Sequence, residues 1–350
     1  MRAYAVKMFC EPLAPIEQPD PQPAGTEVVI DVTRCGVCHS DLHIQDGYYD
    51  LGGGKRLSLA DRGVSTPVIM GHEVLGRLVA KGPDAPIADS EIGKTFLVYP
   101  WLGCGTCEIC RRDEENYCPK PASLGVFRSG GYAEKCVVPH PKHLVDVTGI
   151  DPTLAATYAC SGITAYSALT KIDIDKDNET LLIMGLGGVG MSGLQIAHAL
   201  GFRNIVVADI DAGKRELAIA NGARDAIDPR SADAAAKLAE AGGAAGAVDF
   251  VGAKPTAEFA IAALRKGGTY VVVGLFGGDI TLSIPPIVLR AITIRGSYVG
   301  NLRELKELIA LVRAGKVKPM PVETVSFNGV NDALDRLRAG KVQGRLVIAR

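Results

Sequence analysis

The apolar positions of the chain change rhythm near residue 156. Before it they come in short runs, Glu27-Val-Val-Ile-Asp-Val32, Val74-Leu-Gly-Arg-Leu-Val-Ala80 and Thr95-Phe-Leu-Val-Tyr99, separated by Gly and Pro and without a helical period. Such runs predict a β-rich unit with long loops. After it, apolar runs predict strands over 180–184, 204–208, 247–251 and 269–273, alternating with helices after Gly190 and over 214–221 and 256–265. Strand and helix alternating at this interval predict a parallel sheet with crossover helices. The alanine-rich stretch 232–247 reads as helical, broken at Gly242 and Gly243. A helix over 302–314 and a closing segment near 344–348 follow, and the pattern alone assigns them to neither unit. Leu181 to Gly201 is the least charged stretch, but its glycines, Gln195 and His198 make it a buried strand and helix rather than a bilayer span.

A chain of 350 residues is longer than one hydrophobic core usually serves, so two domains are expected. Hydrophobic residues make up 47% and charged residues 22%, the balance of a soluble globular protein. A net charge of -1 gives no electrostatic reason to expect nucleic acid or an anionic membrane as partner. The start, Met1 to Lys7, lacks the sustained apolar run of a secretory signal, so a cytoplasmic location is expected. Nine cysteines in such a chain, four of them clustered, favour metal ligation over a disulfide framework.

Those four are Cys104, Cys107, Cys110 and Cys118, and their spacing lets four thiolates close on one tetrahedral zinc. The acids Glu108, Asp113, Glu114 and Glu115 in and around the knot speak against a zinc-ribbon nucleic-acid binder. A closed site has no vacant position, so the remaining cysteines matter. Cys35-Gly-Val-Cys38 resembles half a zinc ribbon, but the matching Cys-x-x-Cys pair is consumed in the knot. His72 in Gly71-His-Glu73 and Cys160 in Ala159-Cys-Ser-Gly162 are further candidates. Taken singly, each of these has an ordinary reading, as a buried thiol or a hydrogen-bonded imidazole.

Gly185-Leu-Gly-Gly-Val-Gly190 follows a predicted strand and opens a predicted helix, the context a dinucleotide fingerprint requires. Gly185 permits the tight turn, Gly187 lets the backbone approach a pyrophosphate, and Gly190 lets helix and strand pack closely. Gly188 and Val189 complete the candidate loop. Asp209, at the end of the next strand, can accept hydrogen bonds from an adenosine ribose and would repel a 2′-phosphate, which argues for NAD over NADP. Lys214 either lies near the same ribose or is a solvated helix residue, and Arg215 beside it leaves room for NADP.

Cys38-His-Ser-Asp-Leu-His43, Gly71-His-Glu73, the four-cysteine knot, Cys160-Ser-Gly-Ile-Thr164, Gly185 to Gly190 and Asp209 occur together in the order seen in zinc-containing alcohol dehydrogenases of the medium-chain dehydrogenase/reductase family. The chain resembles their tetrameric bacterial and archaeal members over nearly its whole length. The resemblance implies an α/β fold: a β-rich GroES-like catalytic domain over 1–155 carrying both zincs, a Rossmann doubly wound parallel sheet over 156–296, and a return to the catalytic domain over 297–350.

It further implies two zinc ions per chain and NAD. Cys38, His72 and Cys160 would ligate the catalytic zinc, a Cys₂His set with an open fourth position that is already familiar from alcohol dehydrogenases. Ser40 and His43 would relay the proton released from the substrate hydroxyl, Ser40 having a turn hydroxyl as its alternative. Asp41 would orient His72, and Glu73 would either approach the metal or be an ordinary hydrogen-bonded acid. His39 would contact cofactor phosphate, Tyr298 or Val299 the nicotinamide, and Arg345 the pyrophosphate. Trp101 would wall the substrate pocket; Cys10, Cys35 and Cys136 keep the ordinary reading of lone cysteines, as buried thiols.

The implied activity is NAD-dependent interconversion of primary or secondary alcohols with aldehydes or ketones, in a homo-oligomer, with a tetramer favoured. Polyol, threonine and formaldehyde dehydrogenases share the framework, and a non-catalytic binding protein of the same fold is the other alternative. Cys160 in place of a carboxylate favours a simple alcohol substrate, and all zinc ligands are present. The connection Asp50 to Thr66 is longer than in shorter relatives and could shape substrate entry or a subunit contact.

Overall fold

The computed structural model describes all 350 residues. In its second half, six parallel strands stand in the order 225–227, 205–208, 181–184, 244–249, 264–272, 293–296. Numbered along the chain this is 3-2-1-4-5-6, the order of a doubly wound dinucleotide-binding sheet. Leu181–Met184 and Ile205–Ala208 are buried at every position, which is why they read as continuous apolar runs rather than alternating ones.

The sheets built on the first half are antiparallel except where 322–326 runs parallel to 345–349. The main sheet runs 144–146, 95–98, 73–81, 28–37, 345–349, 322–326, with 135–138 also paired to 28–37. A smaller sheet joins 14–17, 2–6 and 68–69. The strand Arg345–Ala349 lies antiparallel on Arg34 to Val37, so the end of the chain completes the sheet of its beginning. The helix Val330–Arg338 packs on the helix His39–Asp46, with Arg338 pairing to Asp46 at 2.8 Å.

A helical segment links the two halves. Asp151 caps it, its carboxylate accepting from the Leu154 N–H at 2.9 Å. Pro152–Thr157 is α-helical, Tyr158–Gly162 widens into a π turn, and Ile163–Leu169 resumes the α-helix. One contiguous core of 71 buried residues runs through this segment into both halves. Tyr99 Oη donates to the Gly300 carbonyl at 2.9 Å, tying the chain's last portion to the first sheet.

Three expectations need correction. Within 232–247 only Ala234–Glu240 is helical, and Ala244–Asp249 is a strand. Its small residues suit a buried position between the strands at 181–184 and 264–272 better than another helical turn. The helix expected to reach Arg265 ends at Ala263, where a strand begins. Cys10 is exposed rather than buried, at a left-handed turn with φ 67°. No helix is long and apolar enough to cross a membrane.

Candidate active site

Cys38 ends the strand Val28–Val37 and caps the helix His39–Asp46. Asp41 Oδ2 accepts from the Cys38 N–H at 2.9 Å, so the acid of this motif closes the helix start and fixes the Cys38 backbone. His72 enters just before the adjacent strand Glu73–Lys81, and Cys160 lies in the π turn. The helix irregularity falls at the residue whose sulfur must reach across, where such turns often mark functional sites.

The ligand atoms of Cys38, His72, Glu73 and Cys160 lie within 4.8 Å of one another, and all four residues are buried. Cys38 Sγ and Cys160 Sγ are 3.7 Å apart. A zinc–thiolate bond of about 2.3 Å puts tetrahedral sulfurs about 3.8 Å apart, so the spacing fits one ion between them. His72 Nδ1 lies 3.3 Å from Asp41 Oδ1, and His72 Nε2 is buried without a hydrogen-bond partner. Burial pulls the His72 pKa down, but the Asp41 charge and the neighbouring Cys38 outweigh it and raise the net value. The Cys160 thiol beside it holds Cys38 below the usual thiol range. Two sulfurs and an orphaned imidazole nitrogen are a donor set that suits zinc.

Glu73 faces the same cluster. Burial pushes its carboxyl up to about 7 against the pull of Arg345, whose Nη2 donates to Glu73 Oε1 at 2.5 Å. Glu73 Oε2 has no partner and abuts Gly36, where an added Cβ would lie only 1.7 Å from it. Arg345 in turn rests against the dinucleotide turn, since a Cβ on Gly188 would meet Arg345 Cδ at 2.2 Å. A chain of contacts thus runs from the cysteine pair through Glu73 and Arg345 to the glycine-rich loop.

That loop has the geometry its glycines require. Gly185 takes φ +84°, and a Cβ on Gly190 would come within 1.8 Å of the Gly185 carbonyl oxygen. Before Gly187 there is open space, with nothing within 4 Å of an added Cβ. The helix Gly188–Ala199 starts there, presenting its unpaired N–H groups, and Val189 lines the adjoining cleft. Asp209 Oδ2 accepts from the Leu186 N–H at 2.6 Å, which holds the acid at the edge of the turn. Arg215 is committed elsewhere, donating to the Asp209 carbonyl at 2.6 Å and pairing with Asp228 at 3.5 Å. Lys214 is half-buried in the first turn of the helix Ala212–Ala220. The open cradle and the fixed acid suit a dinucleotide without a 2′-phosphate.

A cleft of about 750 Å³ connects these parts, lined by Cys38, His72 and Cys160, by Ser40 and His43, and by Val189 and Phe276 of the other half. Ser40 Oγ accepts from Cys38 Sγ at 3.8 Å, and His43 stands one helical turn further on. Burial and the neighbouring His39 lower the His43 pKa. His39 stacks under Phe276 at 4.5 Å between ring centroids. Trp101 lies 5.1 Å from the His72 ring, and its Nε1 donates to the Ala159 carbonyl at 3.0 Å. Tyr298 and Val299 line the cleft too. Val299 takes φ +41°, a left-handed conformation that costs a β-branched residue about 1–3 kcal/mol and is retained chiefly at functional sites.

Sequence reading did not single out Thr164, Asn116, Tyr132 or Arg62. Thr164 Oγ1 and Asn116 Oδ1 are buried without partners in the cleft wall. Tyr132 Oη donates to Asp41 Oδ2 at 2.9 Å, anchoring that acid from a distant loop. Thr164 was within reach, four residues after Cys160. The other three carry no motif.

The knot is a second ligand cluster, and its Cys118 also lines the cleft wall. Cys104, Cys107, Cys110 and Cys118 hold their sulfurs within 4.8 Å of one another, with Cys107 3.5 Å from Cys110 and 3.8 Å from Cys118. Four sulfurs at that spacing fit a closed zinc site.

Fold and clusters together define a zinc-binding dehydrogenase. The family model described as "Alcohol dehydrogenase GroES-like domain" matches residues 24–149, and "Zinc-binding dehydrogenase" matches 188–314. An NAD-dependent alcohol dehydrogenase of Sulfurisphaera tokodaii is 36% identical over 99% of both chains. Among solved structures, the alcohol dehydrogenase of the hyperthermophilic archaeon Aeropyrum pernix superposes with a TM-score of 0.89 at 26% identity, covering 100% of both chains. A cobalt- and zinc-bound thermostable alcohol dehydrogenase of Pyrobaculum aerophilum gives 0.85 at 26% identity, over 100% of this chain and 99% of that one. The chain belongs to the zinc-containing alcohol dehydrogenases of the medium-chain dehydrogenase/reductase family, and it is an oxidoreductase.

Proposed function

We propose that the chain interconverts primary or secondary alcohols with aldehydes or ketones, using NAD and two zinc ions. The observation that carries this reading is the convergence of Cys38, His72 and Cys160 on the cleft that Val189 of the dinucleotide loop also lines. Cys38, His72 and Cys160 hold the catalytic zinc, and the four knot cysteines hold the structural one. When bound, zinc acidifies the substrate hydroxyl and NAD accepts the hydride.

The protein's own groups do the rest. Asp41 orients the His72 ring, while Glu73 and Arg345 couple the cluster to the dinucleotide loop. Ser40 takes the hydroxyl proton, and His43 passes it toward solvent. Trp101 walls the substrate side. Gly185, Gly187, Gly188, Val189 and Gly190 cradle the pyrophosphate with Arg345 behind them, Asp209 and Lys214 serve the ribose, His39 a phosphate, and Tyr298 and Val299 the nicotinamide.

The working division is 1–155 and 297–350 as the catalytic domain and 156–296 as the dinucleotide domain. We place the protein in the cytoplasm, and its nine unpaired cysteines suit a reducing compartment. A homotetramer is the proposed assembly. Ile284, Val288 and Leu289 are 70–74% exposed beside the free edge of Thr293–Gly296, the last strand of its sheet, which supports association through this face.

A panel of alcohols assayed with NAD and NADP tests the activity. The expected result is turnover of simple primary or secondary alcohols with NAD preferred. No turnover with any alcohol, or equal use of NADP, would contradict it.

A further inference from the structure

The walls of the cleft are mostly apolar, and among their lysines, arginines and acids there are only two residues, Asp50 and Arg62. Both come from the long 50–66 connection. Asp50 Oδ1 is occupied, accepting from the Gly52 N–H at 2.9 Å. Arg62 differs from the arginines that pair elsewhere, such as Arg336 with Glu323 at 2.6 Å and Arg338 with Asp46 at 2.8 Å, because no carboxylate lies within pairing distance of its guanidinium. Its charge is nevertheless felt inside the cleft. Burial raises the phenol pKa values of Tyr49 and Tyr298, and Arg62 pulls against that rise in both.

Arg62 is exposed where it lines the cleft, whereas Cys38, His72 and Cys160 are buried in the same cleft, so the guanidinium lies toward the mouth and the metal cluster in the depth. A guanidinium offers five N–H donors in a fork that matches a carboxylate, and here none is engaged by an acid. An apolar passage with a reactive cluster along it and one unpaired fork farther out suits an amphipathic substrate with its anion remote from the reacting carbon. A neutral alcohol would leave the fork to water.

We propose that Arg62 determines specificity by selecting substrates that carry a carboxylate remote from the reacting carbon: ω-hydroxy acids and the corresponding semialdehydes. This rests on the dehydrogenase reading above and narrows its substrate class. The reaction is unchanged in its balance: the carbinol carbon loses a hydride to NAD and its hydroxyl loses a proton, while the carboxylate is untouched.

The test pairs 6-hydroxyhexanoate with 6-hydroxyhexanamide, which keep the hydroxyl and differ at the far end. Calorimetric titration of the zinc-replete, NADH-loaded protein measures both affinities without turnover, and steady-state kinetics with NAD follows. The acid should bind about ten-fold or more tightly than the amide, the gain expected of a charge-assisted hydrogen bond. Arg62→Met should remove that ratio through KM, and Arg62→Lys should keep part of it. Equal binding of acid and amide by the wild type, an unchanged ratio in Arg62→Met, or weakened NADH binding as the only effect would each overturn the proposal. If the acid binds through Arg62 but no alcohol is oxidised, the dehydrogenase reading fails and the Arg62 site stands.

Discussion

His72 Nδ1 lies 3.3 Å from Asp41 Oδ1, and both side chains are wholly buried. The carboxylate also accepts from Cys38 N and Tyr132 Oη, so two donors hold it while it faces the ring. Asp41→Asn keeps the shape but removes the charge that favours a ligating imidazole. Chelator competition should show about 10–100-fold weaker retention of one zinc, with the other unaffected. Unchanged retention of both would remove Asp41 from the site.

Cys107 and Cys38 should respond in opposite ways. Cys107→Ser opens a closed site whose metal holds a loop together, so the thermal midpoint should fall first. Equal stability of variant and wild type would refute a structural role for the knot.

Glu115 gives a pH signature. Burial alone would raise its carboxyl, but hydrogen bonds from His143 and Lys142 outweigh it and hold the value down to about 2, below the ordinary 4.5. A depressed folded value contributes stability that is complete above the unfolded value and is lost as pH falls through the folded one. The stability gap between wild type and Glu115→Gln should therefore be full at neutral pH and should close between about pH 4.5 and 2. Thermal unfolding of both proteins across that range checks it, and a constant gap would contradict the assignment.

Asp209 sets the cofactor preference. A 2′-phosphate placed beside its carboxylate costs on the order of 1–4 kcal/mol. Asp209→Ser should raise the ratio of kcat/KM with NADP to that with NAD about ten-fold or more. No change would mean that the acid does not face the ribose.

Gly36 admits no side chain. A Cβ added there would lie 1.7 Å from Glu73 Oε2, so Gly36→Ala must displace Glu73 from Arg345 or strain the strand. Overpacking of this kind costs about 1–3 kcal/mol, which denaturant titration would detect. A variant as stable as the wild type would show that Glu73 moves aside freely.

What the sequence disclosed was local, and what it concealed was tertiary. The knot and the glycine-rich turn are legible because each site's residues sit in one short stretch, where spacing alone implies geometry. The helix His39–Asp46 escaped because it begins inside the candidate metal motif, and its Cys38 cap is not a usual capping residue. Pro152–Leu169 escaped because Ala, Ser, Thr and Gly dominate it and give a weak helical period. Arg345 meets Glu73 across 272 positions, and no local pattern announces that pair. The scattered set Cys38, His72 and Cys160 became readable only through the family resemblance. Arg62 was hidden because it lies in a glycine-rich connection with no motif around it.

The central claim is that a second metal site, separate from the knot, does the chemistry. Metal analysis of the wild type and of Cys38→Ser, with alcohol turnover measured on the same preparations, tests it most directly. Two zinc ions per chain should fall to one in the variant, turnover should disappear, and the thermal midpoint should stay near that of the wild type. One zinc in the wild type, or a variant that keeps two and still oxidises alcohol, would contradict the account.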